Sequence, residues 1–154
     1  MSAPPPSPRP ARRHGSVGGI VADALGRVLL LESEVFRDGQ WASEVRLPKG
    51  SLRPGETDAR QALAEVQRLT GYRDIEVLVD LGRERVEYHH RGVRYLRQEH
   101  FFLMKLCSLG KSAELTIEGS HQELFVDSFP EAADRLSFPS EQAAVLRAQA
   151  WWPG

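Results

Sequence analysis

Residues 50–72 read GSLRPGETDARQALAEVQRLTGY, and this stretch constrains the fold more than any other. Thr57 stands where a helix N-cap is wanted, and Gly71 stands where a left-handed residue ends a helix. Between them Ala59, Ala62, Leu63, Val66 and Leu69 recur at helical spacing and form one apolar face. A helix over about 58–70 follows, and its apolar face needs a layer to cover it.

The flanking sequence supplies strands for that layer. Val17, Ile20 and Val21 suggest a first strand, and VLLL within 27–32 is a short continuous apolar run of the buried-strand kind. Asp38-Gly39 marks a loop tip, and 45–47 forms a short strand entering Pro48-Lys49-Gly50. Residues 75–81 alternate like a strand. Segments 83–90 and 93–105 read as two long strands around Arg91-Gly92, with Phe101-Phe102-Leu103-Met104 their most buried part. Segments 115–117 and 124–126 are weaker strand candidates. A short helix over 131–136 and a final helix over 140–151 follow, with Ala144, Val145, Ala148 and Trp151 or Trp152 turned inward. This order describes a mixed α/β layered domain rather than a doubly wound parallel sheet.

At 154 residues the chain suits one core. The net charge of −1 argues against binding extended nucleic acid over the whole surface. A single cysteine, Cys107, excludes an intrachain disulfide and ends an apolar strand pattern, as a packed thiol would. No apolar run is long enough for a membrane helix, and no secretory signal precedes the domain, so a cytoplasmic location is the default expectation. Residues 1–15 hold Pro4, Pro5, Pro6, Pro8 and Pro10 among arginines and read as a flexible tail or a peptide that docks a protein partner. Residues 16–154 read as a single domain.

The frame Gly50, Glu56, Glu65, Val66, Gly71 resembles the Nudix box, G-x5-E-x7-R-E-U-x-E-E-x-G-U with U aliphatic. The resemblance implies an α/β/α sandwich with a mixed central sheet, spanning roughly 16–150. It also implies a hydrolase of nucleoside diphosphate-linked or polyphosphate substrates that uses magnesium. In that family three helical glutamates and a loop carbonyl near the first glycine hold the metal. Residues at i, i+3 and i+4 share one helix face, which makes the spacing a platform for oxygen ligands. Here the three positions are Glu65, Arg68 and Leu69, and the box arginine is Ala64. One carboxylate remains, and a guanidinium three residues away is placed to pair with it.

By this resemblance Glu65 is a metal ligand or general base, Gly50 a ligand through its carbonyl, and Glu56 an auxiliary catalytic residue. Glu56 either pairs with a substitute such as Arg53 or Arg60, or sits exposed near the helix N-terminus. Glu123, and after it Glu99, are candidates for an added metal ligand from beyond the sheet. Lys49, within the LPKG lead-in, is placed to meet a phosphate. Trp41 stacks on a base or packs at the sheet edge. Strand alternation puts Arg83, Arg85, Glu87 and His89 on one face and Glu84, Val86, Tyr88 and His90 on the other, so Arg83 and Arg85 are candidate polyphosphate contacts. The expected protein is Nudix-related, with weak or absent magnesium-dependent hydrolysis. The alternative is a non-catalytic module that binds a nucleotide, a polyphosphate or a protein.

Overall fold

A computed structural model describes residues 12–112 and 121–154. The segment 1–11 and the strand candidate at 115–117 lie outside the described residues. The strands are β1 (Arg12–Ala22), β2 (Val28–Arg37), β3 (Gln40–Arg46), β4 (Lys49–Ser51), β5 (Ile75–His90), β6 (Val93–Leu106) and β7 (His121–Val126). The helices are α1 (Asp58–Thr70), α2 (Phe129–Arg135) and α3 (Pro139–Gln149).

All seven strands join one mixed sheet, with β3-β2-β1-β6-β5 as its main path. β1 runs parallel to β6 along its whole length, from Arg12 opposite Tyr95 to Ala22 opposite Lys105. Its other edge meets β4 around Val17 and β2 around Val21, both antiparallel. The strand starts at Arg12, so residues 12–15, expected in the tail, take part in the sheet. Backbone pairing with β6 holds this segment without apolar side chains, and the hydrophobic pattern is therefore silent there. Residues 75–90, expected as two strands, form one. The pairing shifts register between Asp80 and Arg83, and Gly82 takes a φ of 86°. Such a bulge interrupts the alternation without ending the ladder.

The continuous apolar runs are explained by burial on both faces. Ile20, Leu30, Phe101 and Leu103 pack toward α2 and α3 with Ala132, Ala144, Val145 and Ala148. Their neighbours Val21, Leu29, Phe102 and Met104 pack toward α1 with Ala62 and Val66. The result is the α/β/α sandwich expected from the box. Trp152, not the exposed Trp151, turns inward and meets Phe129 at 5.9 Å between ring centroids. Cys107 is exposed rather than packed, because it lies one residue past the end of β6.

The helix α1 has the caps the sequence calls for. The Thr57 hydroxyl accepts from the Arg60 N–H at 3.3 Å, and Gly71 closes the helix at a φ of 80°. Its buried face carries Ala62 and Val66 but also Gln61, Glu65 and Thr70. Leu69 is only half-buried and does not extend the packed cluster.

Candidate functional site

The helix turns Glu65 toward the sheet, where its carboxylate lies over Gly50 of β4. A Cβ on Gly50 would come within 1.9 Å of Glu65 Oε2, so only glycine admits this approach. The carboxylate is 6% exposed, and both of its oxygens face arginines. Arg68 donates to Oε2 from Nη2 at 2.5 Å and from Nε at 3.2 Å, and Arg53 donates to Oε1 at 3.3 Å.

The box loop is braced by Gln61. Its Oε1 accepts the Arg53 N–H at 2.6 Å, while its amide group donates to the carbonyls of Arg53 and, at 3.1 Å, Glu56. The Glu56 side chain itself is exposed, and Arg53 goes to Glu65 rather than to it.

Glu123 is engaged near the C-terminal end of α1. It accepts from the Tyr72 hydroxyl at 2.8 Å and from the Lys111 ammonium at 2.5 Å. Burial, then the hydrogen bond to this carboxylate and its charge, push the Tyr72 hydroxyl well above its ordinary range. Glu56, Glu65 and Glu123 do not gather. Among the described residues no group of three His, Cys, Asp or Glu is arranged to hold a metal ion.

Magnesium takes hard oxygen ligands in an octahedron and is repelled by fixed cations. The one carboxylate at the three helical box positions, Glu65, has a guanidinium on each oxygen, and Glu123 has an ammonium. This donor set does not fit magnesium as the family box holds it.

Lys49 and Gly50 are neighbours whose side-chain positions point to opposite faces of β4. Gly50 meets α1, whereas Lys49 points toward α3. Its ammonium lies 2.8 Å from Glu141 and 3.2 Å from Glu99, and both glutamates are buried. Glu141 also accepts the Leu47 N–H at 2.6 Å, which ties the segment before the box to α3. Lys49 thus forms a neutralised floor rather than an uncommitted phosphate contact.

Above that floor is a cavity of about 920 Å³. The β2–β3 hairpin contributes Phe36, Arg37, Asp38 and Arg46, and the β5–β6 hairpin contributes Val86, Tyr88, His89, His90, Arg91, Arg97 and Glu99. Phe138 and Ser140 complete the lining beside Lys49. Both hairpins turn through two residues with positive φ, Asp38-Gly39 and Arg91-Gly92, which matches the twist of antiparallel strands. Glu44, itself buried, lies 3.0 Å from Arg37 and 2.9 Å from Arg46, and so holds two cavity guanidiniums side by side. Arg46 also stacks over the Phe138 ring at 4.5 Å.

The alternation expected for 83–90 holds for Val86, Tyr88 and His90, which line the cavity, but His89, expected on the other face, lines it as well. Arg83 lies on the other face, 3.3 Å from Asp58, and Arg85 is exposed there too. His100 sits beside them with its ring nitrogens 2.7 Å from Asp58 and 2.7 Å from Asp80. That contact, with the Gly82 N–H, holds the Asp80 carboxyl below its ordinary range. Trp41 is exposed and leans on Phe36 with centroids 5.3 Å apart, at the rim of the cavity. Arg37, Glu44, Arg46 and Phe138 escaped the sequence reading as a site. The alternation and the basic residues of the hairpin over 83–100, Arg91 and Arg97 among them, were the signals that pointed to part of it.

The family model of the NUDIX domain matches residues 12–149. A search of curated proteins finds no match. Among solved structures, a NUDIX hydrolase from Nitrosomonas europaea is similar at a TM-score of 0.67 and 19% identity, over 91% of this chain and 90% of that one. An Ap4A hydrolase of C. elegans, in a binary complex, is similar at 0.65 and 17% identity, over 90% of this chain and 96% of that one. A MutT protein from Methanosarcina mazei is similar at 0.60 and 19% identity, over 92% and 96%. At these identities the structures speak for the fold.

Proposed function

The chain belongs to the NUDIX domain family, and from that premise we propose that it binds a nucleotide or polyphosphate in the cavity between its two hairpins, with magnesium-dependent hydrolysis weak or absent. One observation carries the binding half. Among the described residues the cavity is lined by five Lys and Arg; Lys49 is neutralised at the floor and Arg37 and Arg46 share one carboxylate, Glu44, so the positive charge gathers at the rim with Arg91, His89 and His90. Positive charge concentrated in a concave, aromatic-walled site attracts phosphate-bearing rings. Arg91 stands at the rim on its hairpin tip, where a phosphate chain would meet it.

The hydrolytic half rests on the box. Arg68 puts a permanent cation at 2.5 Å from Glu65, the one acid at the three helical box positions. If the missing ion forfeits about 4 kcal/mol of transition-state stabilisation, the rate falls roughly 10³-fold. Residual hydrolysis through Glu65 is the second reading, favoured by the retained loop and Glu65 itself.

The test is a nucleotide and inorganic polyphosphate panel, with binding followed by calorimetry in EDTA and in millimolar magnesium, and product release followed in parallel. Micromolar binding that survives EDTA, with little phosphate or monophosphate released, is expected. Arg91→Ala should weaken that binding. Rapid magnesium-dependent turnover would overturn the hydrolytic half, and absence of binding to every anion would overturn the other. The double change Arg68→Glu with Leu69→Glu restores two box acids and should create measurable hydrolysis. Half-burial of Leu69 makes that change tolerable to the fold.

A further inference from the structure

The cavity is polarised from rim to floor. The rim residues Arg37, His89, His90 and Arg91 are exposed, whereas the floor holds Glu99, 2% exposed, and the Lys49 side chain, 10% exposed. Glu99 uses its two oxygens unequally. Oε1 faces Lys49 at 3.2 Å and Arg97 at 3.7 Å. Oε2 has the Ser140 hydroxyl at 3.4 Å, a long contact for an O–H donor. A carboxylate oxygen accepts more than one hydrogen bond, so Oε2 keeps acceptor capacity in a cavity that Glu99 lines together with Ser140, Tyr88 and Phe138.

Phosphates are repelled by that carboxylate and drawn to the cationic rim. Arg46 and Arg97 cover the Phe138 and Tyr88 rings at 4.5 and 5.1 Å, so a flat ring lies against these guanidinium planes, and an N–H donor on its edge satisfies Oε2. We propose that Glu99 is a specificity-determining residue that reads the exocyclic amino group of a nucleobase inserted ring-first, with the phosphates left at the rim. This rests on the cavity being a nucleotide site and adds the direction of insertion and the class of base.

Glu141 stays 2.8 Å from Lys49 when Glu99 is altered, so Glu99→Gln leaves the lysine a partner and the floor its shape. An amide oxygen accepts less strongly than a carboxylate, and its NH₂ group no longer prefers a donor on the ligand.

The experiment compares two pairs of nucleoside diphosphates by calorimetry in EDTA: GDP against IDP, and ADP against purine riboside diphosphate. Members of each pair differ by one amino group. Wild type should bind the amino-bearing member of at least one pair roughly tenfold more tightly, as a hydrogen bond to a charged acceptor provides. Glu99→Gln should erase that preference while keeping affinity for the amino-free member. Equal binding within both pairs by wild type, which needs no variant, overturns the proposal, as does a preference that survives in Glu99→Gln. Nucleotides that bind without discrimination sink the role of Glu99 alone. Failure to bind any nucleotide sinks the cavity reading together with it.

Discussion

Arg68→Ala isolates the feature on which the reading of the box depends. The substitution removes two donors, at 2.5 and 3.2 Å, from an oxygen of Glu65 that also faces the backbone of Gly50. An exposed ion pair contributes about 0.3–0.5 kcal/mol. Breaking a fully buried pair costs about 3–5 kcal/mol, because an uncompensated charge stays behind. This pair lies between those limits, since the Glu65 side chain is 6% exposed and that of Arg68 is 36% exposed. Arg53 still reaches the other oxygen at 3.3 Å from a largely exposed position. A loss of about 2 kcal/mol is therefore expected. With about 2.1 cal/mol/K of unfolding entropy per residue, over 154 residues, that loss lowers Tm by about 6 °C.

Urea melts in EDTA give the stability loss directly. Glu65→Gln added to Arg68→Ala keeps the shape and removes the charge, and should recover at least half of the loss. A cost below about 0.5 kcal/mol would mean that Glu65 is solvated like a surface acid. Failure of Glu65→Gln to recover stability would mean that the loss came from packing of the arginine stem rather than from a stranded charge. Either result refutes the reasoning. Magnesium supplies a further check, since Arg68→Ala uncovers an oxygen and should raise magnesium-dependent stabilisation above that of wild type.

Gln61→Ala should cost about 1–2 kcal/mol, since it removes three loop hydrogen bonds whose backbone partners regain water. It should also speed hydrogen exchange at the Arg53 amide beyond the global change; an unaltered Arg53 rate would show that Gln61 does not hold the loop. The Asp80 carboxyl is depressed by His100, so its contribution is present above its unfolded pKa, about 4, and is lost as pH falls through the lower folded value. Asp80 is 60% exposed, so the effect should stay below about 1 kcal/mol. Urea melts of wild type and Asp80→Asn should differ above about pH 4 and converge below it; a constant gap would show that ionisation of Asp80 plays no part.

Local pattern made a good deal of this fold legible. The caps and apolar spacing of α1 are short-range properties, written within 57–71. The runs VLLL and FFLM announce strands buried on both faces, because only such strands dispense with polar neighbours. The loss of box acids at 68 and 69 is likewise visible in the chain. Other features had no local signature. Residues 12–15 and β4 are held by backbone pairing, which leaves no hydrophobic pattern in the chain. The merging of 75–90 depends on a bulge that breaks the very alternation used to find strands.

The sequence by itself determined the loop–helix frame, the layered architecture and the single acid left at the three helical box positions. Tertiary structure decided what the charges do. Lys49, a phosphate contact by its place before the box, is neutralised by Glu99 and by Glu141, which α3 brings beside it. Glu123, a metal ligand by its place in the chain, is taken by Lys111 and Tyr72. Arg83 and Arg85 fall on the face away from the cavity, while Arg37, Arg46, Arg91 and Arg97 meet within it from two separate hairpins. The role of a charge follows from the distances to other charges and from the water left around it. For these residues both were settled only when remote segments packed together.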